Sequence, residues 1–98
     1  LVAVKNNGMY ISVAHNKAKG NPVNKKETDR FYDMVDDIKK GDHGTMLTDA
    51  VYGSSVGFRA DALVQLKELN KARGSDPENK LDFKTANFEN NIYSVTKC

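Results

Sequence analysis

The sequence predicts an α+β fold: a two-layer α/β sandwich, with an antiparallel sheet carrying two helices on one face. Three observations predict it. Two segments place apolar residues at helical spacing between capping residues. Short runs of strand-forming residues precede, separate and follow them. Each helix has a single apolar stripe and so needs one apolar surface to cover, which an antiparallel sheet offers on one face. At 98 residues the chain is expected to form one domain, 1–98.

The first element, LVAVKNNGMYISVAH, reads as a hairpin. Val2 and Val4 alternate with Ala3 and Lys5, and Met9, Ile11 and Val13 alternate with Tyr10, Ser12 and Ala14. Asn7-Gly8 between them suits a type I′ turn, which needs positive φ at both central residues. A single long strand with a bulge at Gly8 is the alternative. Residues 16–24 read as loop, with Gly20, Pro22 and little apolar content.

The first helix follows. Asn24 can cap it, and Glu27 three residues on makes a capping-box arrangement with Asn in place of Ser or Thr. Phe31, Met34, Val35 and Ile38 form one stripe. Glu27 and Asp29 near its start and Lys39 and Lys40 at its end suit the helix macrodipole. Gly41 is expected to end it in the left-handed conformation. Residues 45–58 then read as a strand (Thr45 to Tyr52), a turn at Gly53-Ser54, and a return arm (Ser55 to Phe58) weakened or bulged at Gly57.

The second helix is expected over Asp61 to Arg73, with Asp61 as its cap. Leu63, Leu66 and Leu69, with Val64 and Ala62, make its buried side. Gly74 and then Pro77 stop it, because the residue before proline is disfavoured in the α region. A short strand near Leu81 and Phe83, a polar turn over 87–91 and a last strand of Ile92, Ser94, Thr96 on one face and Tyr93, Val95, Lys97 on the other complete the order β(β)–α–β(β)–α–β(β).

The bulk chemistry narrows the function. Hydrophobic residues make up 39% and charged residues 29%, ordinary for a globular domain, with net charge +2. Mean hydropathy is −0.63 and the pI about 8.7. Nucleic-acid binders concentrate stronger basic charge on one stripe, so none is expected as a partner. No apolar run reaches the ~18–20 residues of a membrane span, so no transmembrane segment is expected. The chain opens on Leu1 rather than Met, as expected of a removed leader or pro-segment. One cysteine, Cys98, rules out an internal disulfide. At a chain end it is expected to be exposed.

The segment from the second helix onward resembles the C-terminal end of the fungal killer toxins of the killer-protein-four and salt-mediated type. In that family a helix is followed by Gly-Ser-X-Pro, a spacer, and a terminal strand ending in cysteine. Here Gly74, Ser75, Asp76 and Pro77 make the motif and Ile92 to Cys98 the strand. Ala50 to Phe58 lies where the family has a strand–Gly–strand hairpin. The resemblance implies a two-layer sandwich and a secreted toxin or effector acting at a cell surface or membrane channel. It also implies that Cys98 stands where the family places a disulfide partner, and so could join a second toxin chain. The family is cysteine-rich and this chain is not, and its channel-blocking lysine falls near Ala50, so that role does not carry over.

No catalytic set is expected. Ser55 sits in Gly53–Gly57 with G-X-S-X-G spacing but without a strand-to-helix elbow. His15, His43 and Cys98 are too scattered for zinc, so no metal or cofactor is expected. Asp33 and Asp37 share a helix face and repel; with Asp36 they read as a solvated strip. His43 beside Asp42 could be a pH-sensitive pair. The candidate partner-binding residues are Lys25 and Lys26 at one end of the first helix, and Lys39, Lys40 and His43 at the other. The two groups are about 20 Å apart at 1.5 Å rise per residue, hence two patches. With Lys17 and Lys19 beside the first, they suit an anionic surface or channel vestibule. The expected function is non-enzymatic binding of a cell-surface target by a secreted protein. The alternative is an intracellular protein–protein interaction module, an adaptor or toxin–antitoxin partner. A small hydrolase using Ser55 or His43 is the third reading.

Overall fold

A computed structural model describes residues 2–89 and 92–97. Seven elements follow one another: β1 (Val2–Asn6), β2 (Met9–Lys17), α1 (Lys25–Lys40), β3 (Asp49–Ser54), α2 (Ala60–Gly74), β4 (Asp82–Glu89) and β5 (Ile92–Lys97). The five strands form one sheet in chain order. The two-layer α/β sandwich is as expected. The sheet is mixed rather than antiparallel: β2–β3 and β3–β4 pair parallel, and β1 and β5 close the two edges antiparallel.

The difference has one source. No return arm forms after β3. Ser55 to Phe58 leads directly into α2, and Phe58 makes only an isolated parallel bridge with Val23. Each helix therefore joins two single strands, and such a crossover returns the chain in the same direction. Both crossovers step the same way across the sheet, and their shared hand puts both helices on one face.

The sequence-level turn chemistry holds at the first hairpin. Asn7 has φ 52° and Gly8 φ 79°, the pair of positive angles a type I′ turn needs. Register shifts between Val4 and Lys5, which leaves Ile11 as an extra residue on β2. Its carbonyl accepts the Thr48 N–H at 3.1 Å, while the Tyr10 N–H donates to the His43 carbonyl at 2.8 Å. The bulge thus opens β2 to the loop that leads into β3. At the far end of β3, Ser54 is buried, and its hydroxyl donates to the Gly57 carbonyl at 3.0 Å and accepts the Val56 N–H at 3.1 Å. Gly57, with φ 85°, is the left-handed residue of this turn rather than a flaw in a strand.

α1 begins as expected: the Asn24 side chain accepts the Glu27 N–H at 2.9 Å. The Glu27 carboxylate does not complete a capping box but meets Lys17 on β2. Thr28, Phe31 and Val35 are buried beneath it, with Ile38 and Met34 packed against the core. The end of α1 differs from expectation. Gly41 is extended, with φ −73° and ψ 169°, and its N–H donates to the Ile38 carbonyl at 3.2 Å. Gly44 is the position that tolerates no side chain: a Cβ there would overlap the Ile38 carbonyl and lie 2.9 Å from the Lys39 Cα.

α2 starts at Ala60 rather than Asp61, after Arg59, with no side-chain cap. Its inward side is Ala62, Leu66 and Asn70, with Leu69 partly buried, whereas Leu63 and Val64 are exposed. The buried Asn70 accepts the Phe83 N–H at 3.1 Å and so joins α2 to the start of β4. Between the layers, Val13, Ala50 and Phe83 are in register across β2, β3 and β4, and Val23, Leu47 and Leu81 seal the ends.

These contacts make the two glycines unequal. Gly44→Ala is expected to destabilise by about 1–3 kcal/mol, the usual cost of forcing atoms into a packed site. Gly41→Ala meets only two carbonyls at 3.4 and 3.6 Å, and should stay within about 0.5 kcal/mol of wild type. Urea unfolding of both variants checks the pair.

Candidate binding surface

The bridge between Val23 and Phe58 sets the site. The Val23 N–H donates to the Gly57 carbonyl at 3.0 Å, and the Arg59 N–H donates to the Val23 carbonyl at 2.8 Å. These bonds hold the residues just before α1 and α2 side by side. Both helices therefore begin at one end of the molecule, beside the C-terminal ends of β2 and β3. The unpaired N–H groups of a helix start carry about half a positive charge.

Lys25 and Lys26 are exposed in the first turn of α1, and Lys19 is exposed in the loop before it. None of the three has an ion pair among the described residues. The acids at this end are engaged. Glu27 is clasped by Lys17, whose ammonium lies 2.8 Å from each carboxylate oxygen. Asp29 accepts a hydrogen bond from Gln65 at 3.0 Å, and Asp61 lies 3.8 Å from the Arg59 guanidinium. Lys25 and Lys26 thus stay together as one exposed basic surface.

The second expected patch is not a surface of this kind. Lys39 is buried, and its ammonium donates to the carbonyls of Leu47 at 2.7 Å and Thr45 at 3.2 Å. Burial pushes its pKa down, and the nearby Arg73 charge adds to that. Lys39 therefore acts inward, holding the loop that carries Leu47 into the core. Lys40 is exposed but paired with Asp36 at 2.7 Å. His43 is exposed, and no bond joins its side chain to Asp42 among the described residues.

Asp36 is not part of a solvated strip. Arg73 of α2 reaches it at 2.7 Å and also donates to the Tyr32 hydroxyl at 3.0 Å. The Asp36 and Arg73 side chains are only 14% and 17% exposed. Burial pushes the Asp36 carboxyl up, but the hydrogen bonds and charges of Arg73 and Lys40 outweigh it and hold the pKa below the ordinary carboxylate value. Asp33 and Asp37 are exposed, as the sequence suggests. After α2, the Asp76 carboxylate accepts the N–H groups of Glu78 and Asn79 at 3.0 and 3.2 Å, so the Gly-Ser-Asp-Pro exit is a side-chain-capped turn.

The other candidates stay apart. Ser55 donates to the Ala18 carbonyl at 3.4 Å, beyond the C-terminal end of β3, whereas His43 lies in the loop before β3 begins. The two do not meet. Among the described residues no three His, Cys, Asp or Glu side chains are placed to share a metal ion. No helix among the described residues is long and apolar enough to cross a membrane. Cys98, and with it any inter-chain bond, lies outside the described residues. His15 was the residue whose setting the sequence hid: its ring packs edge-on to Tyr52 at 5.5 Å and near Phe31 at 6.5 Å. Compared with protein-family models, curated proteins and solved structures, the chain matches none.

The Asp36 pairing has a defined pH signature. Its folded pKa is depressed, so its stabilisation is fully present above the unfolded value of about 3.9 and is lost as pH falls through the folded value. Asp36→Asn is expected to cost about 1–3 kcal/mol at pH 7. It should also flatten the loss of stability below about pH 4. Urea midpoints across pH 2–7 check both.

Proposed function

We propose that this chain is a secreted, non-enzymatic binding protein of killer-toxin or effector type, which engages an anionic target at a cell surface or membrane channel. The observation that supports this reading is the exposed Lys25–Lys26 surface at the end where both helices begin. Three features favour an anion there. The ammonium groups are unpaired among the described residues, the neighbouring acids are engaged, and two helix starts add positive potential. At the opposite end Lys39 is buried and Lys40 is paired with Asp36, so neither has a comparable part. The sequence motifs alone carry the likeness to killer toxins.

One observation favours the interaction-module reading. On the sheet face opposite the helices, Val2 and Val4 on one edge strand and Val95 on the other are exposed. Docking on that face would bury apolar strands and would be insensitive to salt.

The two readings separate in one experiment: binding of labelled protein to intact fungal cells as salt is raised. Lys25→Glu/Lys26→Glu is compared with Lys67→Glu/Lys71→Glu, which changes net charge equally on the exposed side of α2. Surface electrostatics predicts binding that falls with salt and drops roughly tenfold, about 1.4 kcal/mol, for the first variant. The second should change little. Equal effects of the two variants, or no cell binding by wild type, would sink the cell-surface reading.

A further inference from the structure

A cleft of about 270 Å³ opens between α1 and the C-terminal halves of β2 and β3, lined by His15, Glu27, Arg30, Phe31, Met34 and Tyr52. At roughly 30 Å³ of liquid volume per water, it has room for about nine water-sized groups. We propose that this cleft is a binding site for a small, flat monocarboxylate, with the acid group held by Arg30, His15 and Tyr52 and its apolar body against Phe31 and Met34. This inference does not depend on the cell-surface reading.

Three unspent polar groups point to a ligand. Tyr52 is 3% exposed as a whole, and its hydroxyl, the atom that still reaches solvent, has no hydrogen-bond partner among the described residues. A phenol hydroxyl that opens into a cleft is free to donate to a guest bound there. The His15 imidazole is held by ring contacts alone, with no hydrogen bond at either nitrogen. The Arg30 guanidinium has no ion pair among the described residues. Each of the three can donate a hydrogen bond.

The only carboxylate in the wall does not compete. Both oxygens of Glu27 are taken by the Lys17 ammonium. The cleft therefore offers donors without an uncommitted acceptor of equal charge, and an anion is the complementary guest. Burial, and then the Glu27 charge, raises the Tyr52 pKa, so the phenol stays protonated and able to donate at neutral pH. The rest of the wall is apolar: the Phe31 ring stands 4.8 Å from that of Tyr52, and Met34 packs beside the core. That pairing of apolar wall and few convergent donors is the usual make-up of a small-ligand pocket.

Benzoate, a flat acid of fitting size, is the probe. Titrated into labelled protein, it should move the NMR signals of the His15 ring, the Tyr52 ring and the Met34 methyl saturably. His43 and Met46, exposed in the loop before β3, should stay still. Benzamide, with the same shape and no charge, should bind at least about tenfold more weakly, as expected for loss of a charge-assisted hydrogen bond. Tyr52→Phe keeps the ring packing and Arg30→Gln alters an exposed side chain; each should weaken benzoate by about tenfold. If Tyr52→Phe fails to fold, Arg30→Gln decides alone. No saturable shift, equal binding of benzamide, or unchanged affinity in the variants that fold would overturn the proposal and leave the cleft a water site only.

Discussion

Phe31 is where the two layers meet. Its ring lies 4.8 Å from Tyr52 on β3 and 6.2 Å from Phe83 on β4, and it approaches His15 on β2. One side chain of α1 thus touches all three parallel strands. Those strands bring small and large residues into register, with Ala50 between Val13 and Phe83. A buried phenylalanine removed from such a position costs about 3–5 kcal/mol, a large share of the 5–15 kcal/mol that holds a domain together. The orientation of α1, and with it the direction in which Lys25 and Lys26 face, depends on this contact.

At the far end of α1 the constraint is polar. The chain must leave the helix, drop Leu47 into the core and start β3. Gly44 permits the close backbone approach to Ile38, and the Lys39 ammonium ties down the carbonyls of Thr45 and Leu47. A buried ammonium is costly unless bonded, so the lysine and the loop hold each other. A few residues away, Arg73 and Asp36 join the last turns of α1 and α2. The helix pair is therefore fixed at one end by the bridge between Val23 and Phe58, and at the other by an ion pair.

The sequence made local chemistry legible and misassigned what tertiary partners decide. Asn7-Gly8 and Asn24 could be read because each acts through bonds to its own neighbours. The stripe of α1 could be read because its apolar residues fall on one face. α2 misleads: Leu63 and Val64 look like core, while Asn70 and Arg73 look like surface. Asn70 and Arg73 turn inward beside Ala62 and Leu66 because β4 offers a backbone N–H to Asn70 and α1 offers a carboxylate to Arg73. Neither partner is near in sequence. The parallel sheet was missed for a related reason. Ser55 to Phe58 has strand-like composition, but the turn closed by Ser54 and Gly57 directs it to Val23 rather than back along β3. His15 looked isolated because its companions, Tyr52 and Phe31, arrive from two other elements.

The same placement explains why two lysine pairs of similar appearance differ in what they can do. Lys25 and Lys26 stand at a helix start, where the backbone already carries positive potential and no carboxylate of the first turn is left uncommitted to answer them. Holding them there is electrostatically unfavourable within the molecule, and an anionic partner would relieve it. Lys39 and Lys40 stand at a helix end, where the dipole welcomes a cation, and each has found an oxygen partner inside the fold. Charge that the fold has neutralised contributes to stability, whereas charge that it leaves unanswered is available for recognition. On that ground the helix-start end, and not the more crowded cluster around Arg73, is the surface on which an interaction with an anionic target would be built.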